Sequence, residues 1–117
     1  MKFTHIHNYC FEGRDISFIR SDKGDLWFKI NQVSDAMNFA PGSLVFMYNF
    51  TMVADLKGQV GVLRVQEGKA IRTNHLISEK GVRKIADKNP DNPDAKAFVE
   101  WIEKTKNESV ILKGVSK

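Results

Sequence analysis

Apolar and polar positions at the start of the chain fall into short runs rich in aromatic and β-branched side chains: Phe3 to Phe11, Asp15 to Arg20 and Leu26 to Ile30. Such runs read as strands. The breaks between them, Gly13 and Ser21-Asp22-Lys23-Gly24-Asp25, consist of residues that tolerate φ > 0 or hydrogen-bond their own backbone. Three antiparallel strands joined by turns are therefore expected. In the first, the period of two puts Phe3, His5 and His7 on one face and Ile6 on the other.

The period then changes. Val33, Ala36 and Met37 stand at helical spacing behind Asn31, whose side chain can cap a helix beginning at Gln32. Ala40-Pro41-Gly42 ends it, and Ser43 can cap a second helix from Leu44 to Phe50. That second segment is apolar nearly all round, so it is either deeply buried or meets a partner.

Gln59 to Gln66 and Lys69 to Ile77 are strand-like runs around Glu67-Gly68, the pattern of a hairpin. If Gly68 closes a three-residue loop, Leu63 faces Ile71 on one face and Arg64 and Arg72 point together to the other. A slip of one residue separates the arginines. Ser78 is the expected cap of the next helix, with Glu79 at its positive end and Val82, Ile85 and Ala86 as the buried stripe. Asn89-Pro90-Asp91-Asn92-Pro93 forces a stop and restart, because Pro93 suits a first helical position. The last helix runs from Pro93 to Lys106 with Ala95, Phe98, Trp101 and Ile102 inward. Residues 109–117 are left as a short strand or a tail.

These elements define an α+β fold in one domain, residues 1–108, with small antiparallel sheets and about four short helices. At 117 residues, 42% hydrophobic and 27% charged, the chain has an ordinary globular composition and enough length to bury a core. No apolar run approaches the roughly 20 residues of a bilayer span, and the N-terminal residues lack the apolar centre of a secretion signal. An intracellular protein without membrane contact is expected. The lone Cys10 agrees with a reducing compartment.

Charge sharpens the functional reading. Eighteen Lys and Arg against fourteen Asp and Glu leave a formal charge of +4, a balance that favours polyanions. Arg64 and Arg72 of the hairpin, with Lys69, Lys80, Arg83 and Lys84, are the candidate phosphate contacts to duplex DNA. A hairpin or helix also fits the major groove, where arginine can read base edges.

Catalytic patterns are lacking: no Ser, His and Asp grouping has a nucleophile-elbow context, and Gly58, Gly61 and Gly68 fit no phosphate-cradling loop. Asp15, Asp22, Asp25 and Asp35 fall mostly in strand-joining segments, where Asp is expected for turn reasons. His5, His7, Cys10 and His75 are zinc-ligand types whose spacing matches no closed site. They read as surface histidines and a small buried thiol. No enzyme, cofactor, metal or small-molecule substrate is expected.

The order of elements and several strings resemble the Bro-N domain, the N-terminal module of baculovirus repeated-open-reading-frame proteins and related phage antirepressor-like proteins. The resemblance covers most of the chain. Its first block is Phe18-Ile19-Arg20, a glycine turn, Leu26-Trp27-Phe28 and Val33-Ser34-Asp35-Ala36-Met37. Its second is Leu76-Ile77-Ser78-Glu79-Lys80-Gly81-Val82 and Asp94 to Ile102, similar to the family's Ile-x-Glu-x-Gly-Leu-Tyr and Ala-x-x-Phe-x-x-Trp-Val strings. Val82-Arg83 replaces the commoner Leu-Tyr, and Thr105 to Ile111 departs from the family's Val-Leu-Pro-x-Ile-Arg ending. The resemblance implies a DNA-binding regulator of transcription from a virus or phage, acting in the host nucleus or cytoplasm or in a bacterial cytoplasm. A second function class competes with it: a protein-interaction or self-association module, with Phe46, Tyr48, Phe50 and Met52 as its surface and a homo-oligomer as its product.

Overall fold

The computed structural model describes residues 3–40 and 42–115. Five strands, β1 (Phe3–Phe11), β2 (Arg14–Ser21), β3 (Leu26–Lys29), β4 (Val60–Glu67) and β5 (Ala70–Ser78), form one antiparallel sheet in the order β1-β2-β3-β5-β4. Four helices accompany it: α1 (Ile30–Ala36), α2 (Ser43–Phe46), α3 (Glu79–Lys88) and α4 (Pro93–Val115), with a π-helical turn, Met47–Thr51, after α2. The fold is α+β. No helix among the described residues is long and apolar enough to cross a membrane.

The three N-terminal strands and the later hairpin do not form separate sheets. β5 pairs with β3 through Leu76, Ile77 and Ser78, which joins the two units. Glu12 and Gly13, both at positive φ (49° and 79°), turn β1 into β2 as a two-residue loop between the paired Phe11 and Arg14. That backbone matches the twist of the flanking strands.

One sheet face carries the helices. Ile16, Phe18, Leu26, Phe28 and Ile77 meet Val33, Met37, Val82, Ile85, Phe98 and Ile102 in the main core. Phe98 and Trp101 lie stacked, and the ring of Phe11 packs against both. The opposite face holds a smaller cluster of Ile19, Trp27 and Leu76, flanked by Phe3 and Leu63. Trp27 reaches across β5 toward β4, where a side-chain carbon on Gly61 would lie 3.5 Å from its ring.

Local signals set most boundaries. Ser78 accepts a hydrogen bond from the Gly81 amide at 3.0 Å and so caps α3. Asn92 caps α4, its side-chain oxygen accepting from the backbone amides of Asp94 and Ala95, and its side-chain nitrogen donates to the Met37 carbonyl. Four expectations need correction. Helix α1 begins at Ile30, which is buried, so Asn31 lies inside it and Lys29 holds the cap position without a side-chain bond. Gly42, at φ 85°, takes the cap position of α2 and Ser43 becomes its first residue. Cys10 is exposed, because the edge strand β1 turns it to the helix-free face. Residues 109–115 continue α4 rather than forming a strand.

Gln32 has a role that its position on α1 explains. Beyond the last β2–β3 pair, Ile19 with Trp27, β2 has no strand neighbour on that side. The Gln32 side-chain oxygen accepts from the Ser17 amide there at 2.7 Å, which satisfies a backbone group that is costly to bury unpaired.

Candidate nucleic-acid interface

β4 and β5 pair over eight rungs, from Val60 with Ile77 to Glu67 with Ala70, while β5 touches β3 only at its last three residues. Leu63 still packs against Trp27, so the rungs from Arg64 with Thr73 out to Glu67 with Ala70 are the free-standing part of a two-stranded ribbon, roughly 13 Å long. Valine, isoleucine and threonine favour its extended backbone. Gly68, at φ 62°, opens its tip.

The tip fixes which way each side chain points. Glu67 pairs with Ala70, so the loop is Gly68-Lys69, two residues and not three. A tight turn with glycine in its first central position follows the strand twist better than the longer loop. The register moves by one residue in consequence, placing Arg64 opposite Thr73 and Arg72 opposite Val65. Alternation then puts Arg64 on the ribbon face shared with Val62, Gln66, Ile71, Thr73 and His75, and Arg72 on the other with Leu63 and Asn74. The two arginines, expected side by side, stand back to back. Both are exposed, as is Lys69 at the tip.

The other three cations lie elsewhere and differ in their engagements. Lys80 is exposed on the first turn of α3, beyond Ser78. β5 spans roughly 27 Å at the usual rise, so Lys80 and the ribbon tip lie at opposite ends of it. Arg83 hydrogen-bonds Glu79 at 2.8 Å and also Glu103 of α4. Lys84 donates to the Asp55 carbonyl at 2.8 Å, tying α3 to the segment before β4. Arg83 and Lys84 therefore hold the fold together.

Lys80 does have basic neighbours. A cleft of about 520 Å³ near Ser78 is lined by Arg20, Lys23, Trp27, Lys80 and Lys106, with Glu79 and Asp25 as opposing charges. Arg20 and Lys23 escaped sequence reasoning because the β2–β3 turn meets the start of α3 only through the β3–β5 pairing. On the ribbon Ile71, expected to face Leu63, lies on the opposite face and is 68% exposed, a contact role that sequence reasoning did not assign it. Its signal was an isoleucine between Ala70 and Arg72 in a strand with few apolar neighbours.

Of the apolar segment named as an interaction surface, Phe50 is exposed, but Met52 is buried in the main core and cannot contact a partner. The turn after the π-helical segment directs Met52 inward together with Leu56. The side chains of Phe46 and Tyr48 lie outside the described residues. Among the described residues no three of His, Cys, Asp and Glu come together in a metal-holding group.

No family model, curated protein or solved structure matches the chain.

Proposed function

We propose that this chain is a duplex-DNA-binding module of a viral or phage regulatory protein, and that the β4–β5 ribbon is its contact. The observation that carries the reading is the free-standing ribbon with cations on both faces and at the tip. A two-stranded ribbon fits a DNA groove. With Arg64 and Arg72 on opposite faces, one meets each wall of phosphates, and Lys69 meets the backbone ahead of the tip. The Bro-N-like strings at Leu76 to Val82 and Asp94 to Ile102 support the same class.

Three phosphate contacts release counterions, so affinity falls with salt at a log–log slope of about −3. Fluorescence anisotropy with a labelled duplex, titrated from low to physiological salt, tests this. Arg64→Glu and Arg72→Glu each weaken binding and flatten the slope. Absence of saturable binding at low salt sinks the proposal.

A second reading, self-association, draws on Phe50 and Val53, which are 71% and 52% exposed in the π-helical turn and the segment after it. Sedimentation equilibrium separates the two. A monomer at all concentrations that binds duplex DNA excludes the second reading.

A further inference from the structure

Phosphate contacts leave one prominent ribbon side chain unused. Ile71 is 68% exposed and pairs with Gln66, one rung from the Glu67–Ala70 pair that closes the tip. Its diagonal neighbour on the same face is Arg64, with β-carbons about 7 Å apart. Extended backbone alone does not demand an isoleucine here, since Thr73 satisfies the same preference two residues along. A large apolar group projects beside a cation near the end of the arm.

We infer that Ile71 is a wedge that enters a base step and kinks the duplex, with the ribbon in the minor groove. This inference rests on the DNA-binding reading and specifies its ligand as deformable duplex. Apolar wedges between base steps bend DNA away from the minor groove they enter. A β-branched side chain is stiff about its first torsion, so little freedom is lost on insertion. Arg64 supplies the electrostatic complement, holding a phosphate beside the opened step, and Gln66 across the rung can hydrogen-bond base edges. Pyrimidine–purine steps and mismatches, which unstack most easily, are the preferred sites.

The test uses the full chain and a short duplex carrying a dye at each end, either intact or with a central mismatch. Saturating protein raises energy transfer between the ends, and the mismatched duplex binds about tenfold more tightly. Ile71→Ala keeps the salt-dependent binding to intact duplex but returns energy transfer to that of the free DNA and abolishes the mismatch preference. Ile71→Met, which retains an apolar wedge, preserves the bend. Saturable binding without a change in energy transfer, or full bending by Ile71→Ala, overturns the inference while leaving the DNA reading intact. Absence of saturable binding by the unaltered protein overturns both. Loss of a self-associated species in Ile71→Ala assigns the residue to a contact between copies and overturns the wedge.

Discussion

Lys106 of α4 donates to both carboxylate oxygens of Glu79 on α3, at 2.9 and 3.3 Å. Arg83 bonds the same carboxylate, and Glu103 of α4 pairs with both Arg83 and Lys106, so four charges clamp two helices that also share the core. Burial pushes the Glu79 carboxyl up, but the hydrogen bonds and charges of Arg83 and Lys106 outweigh it and hold the group below the usual carboxylate range. Lys106 is held above the usual lysine range, chiefly by its hydrogen bond to Glu79.

The clamp makes stability depend on pH in a direction that can be checked. Glu79 binds its proton more weakly in the folded chain, so its contribution is complete above the unfolded value near 4.3 and is lost as pH falls through the lower folded value. Lys106 contributes fully below its unfolded value near 10.4 and loses that contribution as pH rises through the higher folded value. Glu79→Gln costs about 1 kcal/mol at neutral pH, a modest figure because Arg83 and Lys106 are partly solvated. Urea denaturation at pH 7 and near pH 3.5 reads both effects: the variant is less stable at neutral pH and loses less on acidification.

Gly81→Ala tests packing against helix propensity. Alanine favours a helix interior by about 1 kcal/mol over glycine. Here its β-carbon would lie 2.7 Å from Cγ1 of Ile77 and 3.1 Å from Cβ of Gln59. Ile77 is buried and cannot move aside freely, so overpacking wins and the variant is destabilised by about 1–3 kcal/mol. A higher denaturation midpoint contradicts this.

Gln32→Leu leaves the Ser17 amide without its side-chain acceptor. The expected cost is about 1–3 kcal/mol. Hydrogen exchange localises the effect, with faster exchange at Ser17 than at amides in the β4–β5 ladder.

Lys84 and Arg64 provide a paired contrast. Lys84→Ala removes the bond to the Asp55 carbonyl and lowers stability, while the salt slope of DNA binding stays the same. Arg64→Ala leaves the melting curve nearly unchanged and reduces the slope by about 0.9. Equal slopes for the two variants would remove the distinction drawn between structural and contacting cations.

What the sequence made legible was local. The Ser78 cap, the Pro93 start and the inward residues Val82, Ile85, Phe98 and Ile102 were expected and are found, because caps and helical periodicity act over a few residues. Pairing of β3 with β5 was not legible, since it joins residues distant in sequence and leaves no local pattern. For the same reason Arg83 looked like an open cation, although Glu103 lies twenty positions along. At the candidate site, hairpin and arginines were visible, but their sidedness hung on one residue of loop length that glycine alone does not determine.

The two-residue tip has a consequence for how this arm can vary. Each added rung lengthens both strands by one residue and advances the tip by about 3.4 Å. It also exchanges the outlook of whatever the tip carries, while the back-to-back arrangement of Arg64 and Arg72 persists so long as the number of residues between them stays odd and the loop stays at two. Reach and handedness are therefore separately adjustable: symmetric growth changes how deep the arm extends, and a one-residue slip of the pairing, with the loop drawn out to three at the expense of a strand, would turn a two-walled grip into a one-sided patch.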